Sequence, residues 1–173
     1  MNETLRTLKM RRSCRKYLSK QVEATALDAI LEAGTYAPSG MNRQAPVIVA
    51  VQDKATRDKI AKMNASVMGT DTDPFYGAPT VLVVLADPSV HTYVYDGALV
   101  MGNLMNAAHA VGVDSCYIFR AKEVFATEAG KAMLRSWGIP DHYEGIGNCI
   151  LGYRDAGGVM EAAPRKANYI VKV

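Results

Sequence analysis

Within Arg11-Arg12-Ser13-Cys14-Arg15, three guanidinium groups and a hydroxyl fall inside five residues. Cations packed that closely repel one another, so the arrangement makes most sense facing an anion. Guanidinium binds phosphate through paired N–H donors, and a hydroxyl can complete the cradle. The competing reading of such a cluster is a solvated helix end. A second cationic pair, Arg165-Lys166, follows Pro164 and could close over the same phosphate as Arg15; taken alone it reads as solvated surface. Between the two lies Tyr36-Ala37-Pro38-Ser39-Gly40-Met41-Asn42-Arg43-Gln44-Ala45-Pro46, a loop by its prolines and glycine, with more side-chain donors than a connector needs.

Conventional constellations are missing. Gly97 to Gly102 has the spacing of a phosphate-binding loop, but Asn103-Leu104 stands where Lys and Ser/Thr are required. Gly145-Ile146-Gly147 begins like a dinucleotide fingerprint, yet position 150 is Ile, so the run reads as close strand packing. His91, His109 and His142 are scattered, and His109 suits the end of a long helix, where a cation favours the dipole. Cys14, Cys116 and Cys149 are odd in number and widely spaced, which argues against disulfides or zinc and fits a reducing cytoplasm. Cys116 and Cys149 read as small buried hydrophobes. With no acid–base pair or nucleophile in view, either the protein does no chemistry or a cofactor supplies it; the anion-facing residues favour the cofactor.

A chain of 173 residues, 49% hydrophobic and 21% charged, fits a single globular domain over 1–173 with a sizeable core. A net charge of +3, without a basic stripe interleaved with aromatics, argues against nucleic acid. No apolar run approaches the roughly 18 residues of a membrane span, and the first residues lack a signal-peptide core. A cytoplasmic location is therefore expected.

The elements that must position these residues can be read in order. Asn2 caps a first helix ending near the basic cluster. Leu27, Ile30 and Leu31 recur at helical spacing from about Glu23, with Gly34 as a C-terminal cap. Val47 to Val51 reads as a buried strand, and Asp53 caps a helix reaching about Met68. Gly69 to Ala78 reads as a flexible excursion, and Thr80 to Ala86 as the strongest strand signal. Val90 to Val111 is a long, mostly apolar helix whose small residues suit a dimer interface. Asp114 to Phe119 is a strand, Val124 to Trp137 a helix, and Tyr143 to Tyr153 a strand broken by glycines. Tyr169 to Val173 is expected to be a terminal strand that pairs onto an existing sheet, in this subunit or a partner's. Strands alternating with helices predict an α/β or α+β sandwich on one core sheet.

Taken together, Arg11-Arg12-Ser13-Cys14-Arg15 with Tyr17, Ala37-Pro38-Ser39-Gly40-Met41-Asn42-Arg43-Gln44, Leu151-Gly152-Tyr153 and Pro164-Arg165-Lys166 resemble the FMN-dependent nitroreductase family along essentially the whole chain. The resemblance implies an α+β homodimer with a central mixed β-sheet flanked by helices, a long interface helix, and FMN in two clefts between subunits. It places Arg11, Arg12, Ser13 and Arg15 at the phosphate and ribityl end, with Arg165 or Lys166 closing over the phosphate. Pro38, Ser39 and Asn42 would approach the flavin from the other subunit. Tyr117, Ile118, Phe119 and Arg120 would bring backbone groups beside the reactive edge of the ring, and Asp71 falls near a ring contact of relatives. NADH or NADPH would reduce the flavin, and a nitroaromatic or quinone would take the electrons by ping-pong transfer. A flavin-binding protein without turnover, for storage, sensing or delivery, is the alternative. The family pattern of Pro and an aromatic directly after the motif's Gln is replaced here by Ala45-Pro46-Val47. An aromatic wall would then fall to Tyr36, Tyr76 or Tyr117.

Overall fold

The β-branched runs pair into one sheet. In the computed structural model, which describes residues 1–173, β1 (Pro46–Val51), β2 (Thr80–Ala86), β3 (Asp114–Ile118) and β4 (Glu144–Gly152) lie in the order β1-β2-β4-β3. All three ladders are antiparallel, so the mixed character expected of the sheet is confined to one isolated parallel bridge, Ser13 to Ser115. β2 is buried along its whole length, because both of its faces are covered; hence its continuous apolar run in place of an alternation.

Helices close both faces. On one side α2 (Ala24–Thr35) and α4 (Tyr93–Ala110) bury Leu27, Ile30, Met101 and Leu104 against Leu82, Cys149 and Leu151. On the other, α3 (Lys54–Met68), α5 (Ala121–Ala126) and α6 (Glu128–Ser136) bury Ile60, Val124, Phe125 and Leu134 against Val83, Cys116 and Ile118. α1 (Glu3–Met10) lies outside these cores, with no buried residue of its own. The expected N-caps are present, Asn2 accepting the Leu5 N–H at 3.0 Å and Asp53 the Thr56 N–H at 2.8 Å, whereas Gly34, expected as a C-terminal cap, lies inside α2, which Tyr36 caps. Cys116 and Cys149 are buried strand residues as expected.

Three expectations are corrected. The helix expected over 124–137 starts earlier and is broken in two, because Thr127 is extended and its hydroxyl caps α6 by accepting the Gly130 N–H at 3.0 Å. The expected flexible excursion after Met68 is pinned. Asp73 accepts the Phe75 and Gly77 N–H groups, each at 2.9 Å, and Arg57 Nη2 at 2.6 Å, while the Phe75 ring is fully buried. The terminal segment forms no strand: a strand exists through its ladder, and Tyr169, Ile170 and Val171, 69–78% exposed, pair with nothing in their own chain.

Burial works against ionising Asp73, but the Arg57 guanidinium and the two amides outweigh it and hold the carboxyl below the usual carboxylate range. Stability from this group is therefore present above roughly pH 4 and is lost as pH falls through the lower native value. Asp73→Asn should cost on the order of 1–2 kcal/mol at pH 7, allowing for solvent screening of its exposed part. Thermal melts of the two proteins should converge as pH falls from 5 to 3; a gap that stays constant would contradict this assignment.

Candidate functional site

The basic cluster starts where α1 stops. Arg11 is the C-cap, and beyond it the chain turns extended and runs beside β3. The Cys14 N–H donates to the Ser115 carbonyl at 2.9 Å and the Arg15 N–H to the Gly158 carbonyl at 2.8 Å. The side chains then diverge. Arg11 is half-buried, and its Nη1 is buried without any hydrogen-bond partner. An orphaned cationic donor costs about 1–3 kcal/mol or more, a penalty that an anion bound there would remove. Arg12 folds back, its Nη1 donating to the Lys9 carbonyl at 2.7 Å and the Arg11 carbonyl at 2.6 Å. One arm of that guanidinium therefore satisfies the helix end. Ser13 is half-buried on its bridge to Ser115, and the exposed Arg15 joins no ion pair.

The first and third sequence motifs meet here. Tyr17 bridges to Arg154, and its hydroxyl donates to the Cys14 carbonyl at 2.8 Å. Gly152 permits the approach: a Cβ on it would lie 2.8 Å from the Tyr17 ring and 2.9 Å from Pro79. Cys149 lies below the cluster. Burial pushes its thiol well above the ordinary range, while the nearby Arg11 cation acts in the opposite sense.

At the far end of β3, about 13 Å from Ser115 at the rise of a strand, the other expected residues gather. Ile118 is core, and Phe119 is 64% exposed. Tyr117 packs its ring against Gly147, where a Cβ would sit 2.6 Å from the ring, and its hydroxyl donates to the Ile146 carbonyl at 2.8 Å. Gly145 faces the α5 backbone, with a hypothetical Cβ 2.3 Å from the Ala121 carbonyl carbon. The reading of Gly145-Ile146-Gly147 as close strand packing is thus borne out. Asn64, fully buried on α3, donates from Nδ2 to the Phe119 carbonyl at 2.8 Å and accepts from Arg120 Nε at 3.3 Å. Sequence reasoning missed Asn64, although its place one turn after Ile60 marked it as a polar residue on the inner face of α3.

The Pro38–Asn42 loop is shaped rather than slack. Met41, Asn42 and Gln44 all have positive φ. The Gln44 N–H donates to Ser39 Oγ, and Gln44 Nε2 to Asn42 Oδ1, each at 3.1 Å. Buried Asp96, also missed in the sequence, accepts the Gly40 N–H at 3.0 Å and the Thr92 hydroxyl at 2.9 Å. Pro38, Ser39 and Gln44 line a cavity of about 390 Å³ between α2, β1 and α4. This loop makes no hydrogen bond to Arg11–Arg15 of the same chain.

Nor does the single chain bring Arg165 and Lys166 to that cluster. Both are exposed; Arg165 Nη2 donates to the Ala163 carbonyl at 2.6 Å, and Lys166 Nζ lies 5.3 Å over the Tyr169 ring. Asp71 is exposed on the pinned turn, and its neighbour Asp73 carries the structural bonds. Of the candidate wall tyrosines, Tyr36 and Tyr76 are exposed, whereas Tyr117 is already packed.

Comparison with known proteins agrees on one family. The sequence profile of the Nitroreductase family matches residues 8–72. A protein of Archaeoglobus fulgidus, provisionally named an NADH dehydrogenase/NAD(P)H nitroreductase, is 30% identical over 159 residues, 88% of this chain and 86% of its own. The crystal structure of a nitroreductase with bound FMN from Bacteroides fragilis, 31% identical, matches with a TM-score of 0.91 over 100% of both chains. A nitroreductase with bound FMN from Desulfitobacterium hafniense, 26% identical, matches with a TM-score of 0.87 over 100% of this chain and 99% of its own.

Proposed function

The chain belongs to the nitroreductase family, and on that premise we propose that it is an FMN-dependent oxidoreductase that takes electrons from NADH or NADPH and passes them to a nitroaromatic, quinone or similar acceptor. The observation that carries this reading is the buried, partnerless Nη1 of Arg11 at one end of β3, opposite the polar cluster at Phe119 and Arg120. Arg11, Ser13 and Arg15 would hold the phosphate, with one arm of Arg12 still free to join them. The strand-end backbone at Tyr117, Ile118, Phe119 and Arg120, with Asn64, would hold the polar edge of the ring. When bound, FMN supplies the hydride and electron transfer. The residues of the chain bind it, orient it and exclude water from its buried side, which is why the site needs no acid–base pair of its own.

The second protomer enters as part of the same proposal. α4 buries Val100, Met101 and Leu104 inward but leaves Val94, Tyr95 and Leu99 46–72% exposed, and a Cβ on Gly102 would meet nothing within 4 Å. This apolar face suits a homodimer in which Pro38, Ser39 and Asn42 serve the partner's flavin and the terminal segment, with Arg165 and Lys166, packs across the subunit boundary. Deleting residues 167–173 should shift the protein toward monomer in sedimentation and weaken FMN retention at least tenfold. Unchanged dimer and flavin content would remove the segment from the interface.

Initial rates test the activity. With NADH or NADPH varied at several concentrations of a quinone or nitroaromatic, double-reciprocal plots should be parallel, since both ligands use one cleft in turn. Flavin that stays bound yet is reduced by neither nicotinamide would favour binding without turnover.

A further inference from the structure

Arg120 combines a strained backbone with a half-buried cation that forms no ion pair. Its backbone sits at φ 71, a left-handed conformation that costs a non-glycine residue about 1–2 kcal/mol. Its side chain is half-buried, and none of the chain's ion pairs includes it. What holds it is neutral: Nε donates to Asn64 Oδ1 at 3.3 Å and Nη2 to the Met68 thioether at 3.1 Å. Asn64 is itself fixed by its bond to the Phe119 carbonyl at 2.8 Å, so a fully buried amide aims a charged group without neutralising it. A positive charge held by neutral partners alone, at some strain, points to a negative charge that comes and goes.

We propose that the Arg120 guanidinium is the cation that stabilises the added negative charge of the reduced flavin ring, and that Asn64 is its positioning residue. The inference rests on the FMN reading above. Reduction by NAD(P)H delivers two electrons and one proton as a hydride, so the ring system gains one negative charge; the nicotinamide is oxidised, and no other reactant is needed. A fixed cation beside the ring raises the flavin potential. It also strengthens the reversible addition of sulfite to the oxidised ring, in which the sulfur lone pair of the dianion forms one new bond, one negative charge passes onto the ring and the other stays on the sulfonate.

The test uses FMN-loaded wild type, Arg120→Gly and Arg120→Lys. Glycine adopts this backbone conformation freely, so that variant keeps the fold while losing the charge. Arg120→Gly should bind sulfite at least tenfold more weakly, read from the loss of flavin absorbance. Its two-electron midpoint potential should fall by about 30 mV for each tenfold change in the reduction equilibrium. Arg120→Lys should stay within threefold of wild type. Sulfite affinity and potential both unchanged in Arg120→Gly would overturn the proposal while leaving the FMN reading intact. So would weaker FMN binding with an unaltered potential, which would make Arg120 an affinity group only. Arg120→Lys falling as far as Arg120→Gly would also overturn it. Wild-type protein that takes up no FMN would overturn both readings.

Discussion

An Arg11→Ala, Arg15→Ala double variant is expected to bind FMN at least a hundredfold more weakly than wild type. Each guanidinium–phosphate bond lost is worth about 1.5–3 kcal/mol, or roughly 10–150-fold in affinity, and two act together. Arg11 should account for most of the loss. It is half-buried with a sequestered donor, whereas Arg15 is exposed and its contribution is screened. The single Arg11→Ala variant has a further signature. Without flavin it should be no less stable than wild type, since it removes a buried donor that nothing satisfies. With excess FMN, wild type should melt at higher temperature through linkage, and Arg11→Ala should gain much less. Fluorescence titration and paired thermal melts measure both effects. Equal FMN affinity in the variants and wild type would detach the cluster from the phosphate.

The largest structural effect is expected at Gly145. A methyl group there would lie 2.3 Å from the Ala121 carbonyl carbon, 2.4 Å from its oxygen and 2.8 Å from the Lys122 nitrogen. All three are backbone atoms, so no side chain can swing aside, and α5 must move off β4. Overpacking of this kind costs about 3 kcal/mol, which for a chain of 173 residues lowers the melting temperature by roughly 6–12 °C. The displacement also has a functional direction, because Arg120 is the N-cap of α5 and Asn64 there ties strand end to helix. Gly145→Ala should therefore perturb the flavin spectrum as well as stability. Ser66→Ala, at an exposed position of α3 away from both contacts, is the control. Equal melting temperatures for the two variants would show that the α5–β4 contact can relax.

The fold was legible wherever a local period fixed it. Leu27 and Ile30 marked the inner face of α2, the unbroken Thr80–Ala86 run marked a strand covered on both sides, and Asn2 and Asp53 capped the helices they precede. The basic cluster was legible as a candidate anion site because like charges so close need a reason. What was not legible depends on partners distant in sequence. Asp73 looked like loop polarity until Arg57 and two amides met it. Thr127 looked helical until its hydroxyl capped α6. Ser13 beside Ser115, and Asn64 beside Phe119, follow from register and helix packing, which no local pattern encodes. The terminal segment shows the converse: its apolar, β-branched residues are real, but a strand needs a partner that the single chain does not supply.

The claim on which the rest stands is that the ends of β3 hold a phosphate and a redox-active ring belonging to one molecule. The most direct measurement is the visible absorption spectrum of the purified protein with FMN added and excess removed, recorded before and after NADH or NADPH under anaerobic conditions. The expected result is a protein-bound flavin spectrum at one FMN per chain that bleaches with nicotinamide and recovers with a quinone. A protein that remains colourless after FMN is added would contradict the account.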